Sequence, residues 1–536
     1  MLIEMTHRPI NPPLCGPQAN RQSGASAGPA ANASPPIRLG RLGPTQPAAE
    51  YSVSARWAKR WLTAGALCMV LAGVPVSAAP PTDLPLLGDS SSALVSLETE
   101  ARIGADFLKQ IRAALPLSSD PLLKYYTDVQ LRRLTQYSEL RDGILSVVLI
   151  DDNQINAFAA PGGVVGINMG LYLHAEDVHE YSSVVAHELA HLSQRHFARG
   201  LEQQRNMTIP TLASLVAAIA LGALAGGEAG LAALSTSQAA AINSQLRYSR
   251  AREQEADRVG LNTLVNSGMD PNGMARMFDR MRRAFRFTKR PPEFLLTHPV
   301  TESRISDARN QIARKPLEER YEDSAEYHMM RARVILHFAD SPEDARRLFE
   351  KKLREEPGNE GAQYGRAIAL SASEKHDEAL KALRPLRENQ PNRLLVTATH
   401  AELLMRAGVT DEALNLLAQQ LVLNPENIAL SMLYAQGLEA TERYEEAEFL
   451  LERLSRVHGD DSQVWYELAE VAGKAGSIIA VHRARAEFFA LHGAYARAVN
   501  HLEYARGLVD PKNFQLMARL EARITDIRDI QRKRES

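Results

Sequence analysis

Residues 184–193, Val-Val-Ala-His-Glu-Leu-Ala-His-Leu-Ser, decide how this chain is read. His187 and His191 stand four residues apart, so a helix places them on one face, one turn from each other. Two imidazoles at that separation can share a zinc ion, and Glu188 beside them can take a proton from a water on it. The rival reading is two surface histidines flanking an acid, since a five-residue pattern with three fixed positions also arises by chance. Val184, Val185, Leu189 and Leu192 argue against it. They make the helix apolar and put the histidines at a buried edge, where ionisable groups need a partner.

A catalytic zinc takes three protein ligands and keeps one position for water. The third ligand has to come from elsewhere, and Arg-Ala-Arg-Glu-Gln-Glu-Ala-Asp at 250–257 offers three acids. Glu253 is the leading candidate, with Glu255 and Asp257 competing; spacing alone does not choose between them. Asp257 lies four residues beyond Glu253, shares its helical face, and can instead orient a ligand histidine through its carboxylate. In such a site Glu188 would take the proton of the attacking water and return it to the leaving amine.

Moving outward, Ile103, Phe107, Leu108, Ile111 and Leu115 recur at helical spacing, and a second helix is expected at 119–135. Leu145 to Ile150 is rich in β-branched residues and reads as a strand. In Asn-Ala-Phe-Ala-Ala-Pro-Gly-Gly-Val-Val-Gly-Ile-Asn (156–168), the turn Pro161-Gly162-Gly163 feeds a second strand, Val164 to Ile167. Helices are expected at about 177–197, 235–266 and 272–286. Between the first two lies a 21-residue stretch without charge, 207–227, read as a helical hairpin that is buried or faces a membrane. His179 and His196 match no motif and read as solvent-facing or capping histidines.

The 536 residues are 45% hydrophobic and 24% charged, enough for several cores. A net charge of −2 with mixed signs gives no basic surface for phosphate backbones, so a nucleic-acid partner is not expected. Residues 1–52, rich in Pro, Gly, Ala and Ser, read as a disordered or misassigned extension. Basic residues around Arg56–Arg60, an apolar run and Val76-Ser77-Ala78 make 53–78 a secretory signal. Residues 79–96 form a linker. The only cysteines, Cys15 and Cys68, fall before the expected cleavage, which excludes a cysteine protease, a disulfide scaffold and a thiolate zinc site.

Beyond residue 322 the chain repeats. Ala345, Ala379, Ala413 and Ala447 are each 34 residues apart, and Pro357, Pro391 and Pro425 follow the first three by 12. A helix-turn-helix unit of that length, with a small residue at the helix crossing and proline at the turn, is a tetratricopeptide repeat. The period breaks after Gly459 and resumes at Ala498, leaving a half-unit near 461–475 as a lone helix or a degenerate repeat. The array is expected over 322–515, with a C-terminal helix at 516–536. Such stacks offer extended surfaces to peptides or partner proteins.

His187-Glu188-Leu189-Ala190-His191 followed by Ser-Arg-Ala-Arg-Glu-Gln-Glu-Ala-Asp-Arg-Val-Gly (249–260) resembles the metallopeptidase family of the HtpX membrane proteases and CAAX prenyl proteases. With the export signal and the repeats, the chain from about residue 90 onward is similar to the periplasmic β-barrel assembly-enhancing proteases of that family. The resemblance implies an α+β zincin-like metallopeptidase domain over 97–318, mostly helical with a small sheet, and then an α-helical tetratricopeptide solenoid. It implies one zinc per subunit, with Glu253 as third ligand and Asp257 as the supporting carboxylate. It implies that Gly163, Val164, Val165, Gly166, Ile167 and Asn168 form an edge strand along which a substrate lies. Thr297-His298-Pro299 and Arg304-Ile305 match a family pattern in which the histidine fills zinc's open position and keeps the enzyme latent. Arg304 is then a catalytic candidate that stabilises the oxyanion or else holds the fold. The implied role is degradation of misassembled outer-membrane proteins and help in their assembly, in the periplasm, with the repeats docking to the barrel-assembly machinery. Peripheral contact with the outer membrane goes with this. The alternative is a repeat-based chaperone or scaffold with latent proteolysis.

Overall fold

The computed structural model describes residues 95–141, 143–144, 146–202, 250–285, 292–315 and 321–535. The signal at 53–78 and the apolar stretch 207–227 lie outside the described residues. Among the described residues no helix is long and apolar enough to cross a membrane.

The N-terminal part comprises α1 (Leu97–Ala114), α2 (Pro121–Gln136), β1 (Ser146–Ile150), β2 (Ala157–Ala160) and β3 (Val164–Asn168). It continues with α3 (Gly170–His174), α4 (Val178–Ser193), α5 (His196–Glu202), α6 (Arg250–Asn266), α7 (Asn272–Phe285), α8 (Glu293–Thr297) and α9 (Glu302–Ile312). Side-chain caps set the starts of the main helices: Ser96 accepts from the Thr99 N–H, Asp120 from Leu122 and Leu123, and Asp177 from Glu180. Helix α4, which carries the two histidines, is buried continuously from Val178 to His191.

The sheet has the order β1-β3-β2, with β1 parallel and β2 antiparallel to β3. This corrects the expected edge. Val164–Asn168 is hydrogen-bonded on both sides and fully buried, so the strand at Gly163–Asn168 has no free edge for a substrate. The edge beside α4 is β2, Ala157–Ala160, whose four residues are too short and alanine-rich to signal a strand. The β2–β3 connection depends on glycine: Gly162 and Gly163 have φ of +72° and +79°.

The repeats comprise α10 (Ala325–Phe338), α11 (Pro342–Glu355), α12 (Glu360–Ala372), α13 (His376–Asn389), α14 (Leu394–Arg406) and α15 (Thr410–Leu423). Then follow α16 (Ile428–Ala440), α17 (Tyr444–Val457), α18 (Ser462–Lys474), α19 (Ile478–Leu491), α20 (Tyr495–Leu508) and α21 (Phe514–Glu535). The four periodic alanines are all buried, as close helix crossings require. The half-unit near 461–475 is α18. It packs between α17 and α19, so it is a member of the stack and not a lone helix.

Repeats and peptidase share one core. Tyr327 of α10 is fully buried, stacks on Tyr172 at 5.6 Å and lies 5.5 Å from Tyr181 of α4, its hydroxyl donating to the Ala175 carbonyl. Arg333, also on α10, pairs with the α2 cap Asp120 at 2.5 Å and with Glu402 of α14 at 2.9 Å. Lys124 of α2 meets Asp461 at the start of α18 at 2.7 Å. The array is therefore fastened along α2.

One carboxyl in the array gives a pH dependence. Burial, reinforced by Glu439 and Glu470, pushes half-buried Glu467 up to about 7. A carboxyl raised in the folded state favours folding fully below its unfolded pKa, and that contribution fades as pH rises through about 7. Glu467→Gln is expected to flatten the loss of stability between pH 5 and 8 and to gain about 1–2 kcal/mol at pH 8, read from urea melts. A parent-like pH slope in the variant would contradict this.

Candidate metal centre

Two segments far from it in sequence converge on the last turns of α4. Helix α6 lies close across α4 because Gly260 faces the Ala186 carbonyl and the His187 nitrogen, where a Cβ would sit 3.1 Å from both. That approach brings Glu253 and Asp257, one turn apart on α6, to His187 and His191. The loop after α8 delivers His298, whose N–H donates to the Phe294 carbonyl at 2.7 Å.

His187, His191, Glu253 and His298 are all buried, and each offers one ligand-type atom within 4.8 Å of the other three. His187 Nε2 is 3.0 Å from His191 Nε2 and 3.3 Å from His298 Nδ1. Glu253 oxygens lie 3.5 Å from His187 Nε2, 3.5 Å from His191 Nε2 and 3.2 Å from His298 Nδ1. A tetrahedral ion with bonds of about 2.0–2.1 Å separates its ligands by about 3.3–3.4 Å. These five separations bracket that value, so the donor set fits a tetrahedral ion. Glu188 stands beside it, with the Ala159 backbone of β2 hydrogen-bonded to its carboxylate. Its Oε1 has no hydrogen-bond partner among the described residues and lies 3.6 Å from His298 Nε2.

Around the cluster the contacts are charged. Asp257 Oδ1 is 2.9 Å from His187 Nδ1. Arg304 donates to both oxygens of Asp257 at 2.7 Å, to the Pro299 carbonyl at 3.0 Å, and lies 2.9 Å from Glu253 Oε2. Its guanidinium is thus engaged with the two carboxylates. Of the two roles open to Arg304, this placement is that of a holding residue, and it argues against direct oxyanion stabilisation.

The electrostatics suit a cation. Burial pulls His187 down, but Asp257 and Glu253 outweigh it and bring it to about 9. Burial pushes Glu253 up, yet His298 and His187 hold it far below the usual carboxylate range. His191, away from Asp257, is depressed by burial and by its histidine neighbours. Glu188 is raised by burial, partly offset by His298 and His187, as suits a group that must accept a proton.

Among the three competing acids, only Glu253 enters the cluster. Glu255 turns away to His196 and Arg199, since two residues along a helix reverse most of the facing direction. His179 and His196 need correcting: neither faces solvent. His179 is buried under Gly273 and its Nδ1 accepts from the Asp270 N–H. His196 is fully buried with Nδ1 at 2.8 Å from His191 Nδ1. The expected helix 177–197 stops at Ser193, and that break carries His196 back toward His191. Five residues after His191 it would lie on another face of an unbroken helix, so spacing gave no signal.

Comparison with known proteins supports the same chemistry. The profile of peptidase family M48 matches residues 126–312, and that of the tetratricopeptide repeat matches 339–403 and 404–470. The chain is 32% identical to the beta-barrel assembly-enhancing protease of Escherichia coli, covering 86% of this chain and 94% of that one. To the protein of the same name from Yersinia pestis it is 31% identical, covering 83% and 92%. The mitochondrial metalloendopeptidase OMA1 of Schizosaccharomyces pombe is 28% identical over 39% of this chain and 60% of its own. With a metal-binding geometry inside the matched region and similarity along nearly the whole of its relatives, this chain belongs to the β-barrel assembly-enhancing proteases, metalloendopeptidases of family M48.

Proposed function

We propose that the metal is zinc, one ion per chain, held by His187, His191 and Glu253, with His298 as a displaceable fourth ligand. The observation that carries this is the set of four buried ligand-type atoms within 4.8 Å of one another, beside Glu188 Oε1, which has no hydrogen-bond partner among the described residues. When bound, the ion polarises water and the scissile carbonyl. Glu188 takes the water's proton and returns it to the leaving amine. Asp257 holds the His187 ring, and Arg304 holds Asp257 and Glu253. An extended substrate adds to the outer edge of β2, which no strand among the described residues pairs, and whose position beside Glu188 suits a scissile bond.

A site with four protein ligands has no place for water, whereas catalytic sites keep one open. His298 therefore sets a latent state, and departure of its loop opens the enzyme. In the cell the protein degrades misassembled outer-membrane proteins and assists their assembly, with the repeats docking to the barrel-assembly machinery. The names of the relatives and the repeats support this. The same reading has export through the signal at 53–78, a peptidase domain over 97–318, repeats over 322–515, a C-terminal helix at 516–536, and a periplasmic location with peripheral contact to the outer membrane. The scaffold reading draws on the same closed site.

His298→Ala is expected to raise cleavage of an unfolded barrel protein at least about tenfold, the gain from abolishing a closed state favoured by ~1.4 kcal/mol. Zinc content, measured on the same samples, stays at one per chain. Unchanged or absent cleavage with zinc bound sinks the latency and favours the scaffold. A chain that takes up no zinc sinks the whole reading.

A further inference from the structure

The contact between His191 and His196 has no part in the chemistry above, and its geometry is built with care. Arg195 adopts φ of +48°, a left-handed conformation that residues other than glycine seldom hold. Its guanidinium is tied to the Val95 carbonyl at 2.7 Å and to Glu100 at 3.4 Å. This sharp turn ends α4 and starts α5 at His196, folding that ring back over the last turn of α4. There the two Nδ1 atoms meet at 2.8 Å. The far nitrogen of His196, Nε2, is 3.2 Å from Glu255 Oε2, and Arg199 Nη1 holds both oxygens of Glu255 at 3.1 and 3.0 Å.

Two ring nitrogens this close need one proton and one lone pair between them. His191 presents Nε2 to the cluster, 3.0 Å from His187 Nε2. If Nε2 takes a metal ion, the neutral His191 ring carries its proton on Nδ1. His196 Nδ1 must then accept, which leaves the His196 proton on Nε2, pointing at Glu255. One tautomer set satisfies all three contacts. The reverse set would put a proton on His191 Nε2, in the middle of the cluster.

We propose that His196 is a positioning residue which, backed by Glu255 and Arg199, fixes the ring plane and tautomer of His191 for metal binding. Helix α6 then serves both histidines. Asp257 braces His187 directly, Glu255 braces His191 through the inserted imidazole, and Glu253 between them faces the ion. Ring orientation by an outer hydrogen bond is a general determinant of metal affinity. The inference rests on the assignment of His191 as a ligand.

The test is zinc affinity of the full chain by chelator competition. His196→Phe fills the space without an acceptor; His196→Asn keeps an acceptor where Nδ1 stood; His191→Ala serves as reference. His196→Phe is expected to weaken zinc binding about 10–100-fold, and His196→Asn to stay within about threefold of the parent. Nitrogen-15 NMR of the histidine rings in the zinc-loaded parent is expected to show His196 protonated on Nε2 with its Nδ1 accepting from His191, which tests the role even where a variant does not fold. Parent-like affinity in His196→Phe, equal loss in both His196 variants, or a His196 proton on Nδ1 overturns the proposal. Should His191→Ala bind zinc as the parent does, the ligand assignment itself fails, an outcome distinct from failure of His196 alone.

Discussion

Glu188→Gln is expected to lower kcat for an unfolded barrel substrate by about 10²–10⁴-fold, the usual contribution of a positioned general base. Zinc content and KM should change little. Glutamine has the same shape, and Glu188 is not among the four clustered donors, so the ion keeps its ligands. What the variant removes is the proton acceptor: Glu188 Oε1 is buried and unpartnered among the described residues. Burial also lifts the Glu188 carboxyl, so the neutral amide is tolerated there and the variant should fold normally. Steady-state cleavage with elemental analysis on the same preparation checks both halves. Cleavage within about threefold of the parent, with zinc bound, would remove Glu188 from the mechanism.

The second large effect concerns stability. Tyr327→Ala is expected to cost about 3–5 kcal/mol, as the loss of a large fully buried aromatic does. Tyr327 belongs to the repeats by sequence, yet its ring packs against both Tyr172 and Tyr181, which themselves meet at 4.7 Å. Tyr181 is on α4, six residues before His187. The cavity would therefore open inside the peptidase core, next to the helix that carries the metal site. Tyr327→Phe keeps the ring and loses the bond to the Ala175 carbonyl, so about 1 kcal/mol is expected. Urea melts followed by tryptophan fluorescence and circular dichroism check the pair. Equal midpoints for Tyr327→Ala and the parent would show that the first repeat is not part of the peptidase core.

The elements legible in the sequence were those with strong periodicity or punctuation. The 34-residue alanine repeat marks buried helix crossings one by one, and the Pro-Gly-Gly turn marks the start of β3. Strand β2 escaped because Ala-Phe-Ala-Ala has neither alternation nor β-branching. The edge reading of β3 came from the family resemblance, whereas Ala157–Ala160 pairs along β3 and makes it the central strand. Arg304 shows a different limit. A cation near a metal site suits either an oxyanion or a carboxylate, and only the positions of Asp257 and Glu253 distinguish them.

Local chemistry determined the histidine pair and Glu188, because an i, i+4 spacing in an apolar helix is a property of consecutive residues. It also determined the candidate acids on α6 and the repeat architecture, both written in short-range spacing. Tertiary structure decided which acid enters the histidine cluster, how His298 reaches it from more than a hundred residues away, and which strand is the edge. It also brought His196 against His191. These depend on how separate helices approach one another: Gly260 sets the distance between α6 and α4, and the left-handed turn at Arg195 redirects the chain. Neither consequence is carried by the spacing of residues along the sequence.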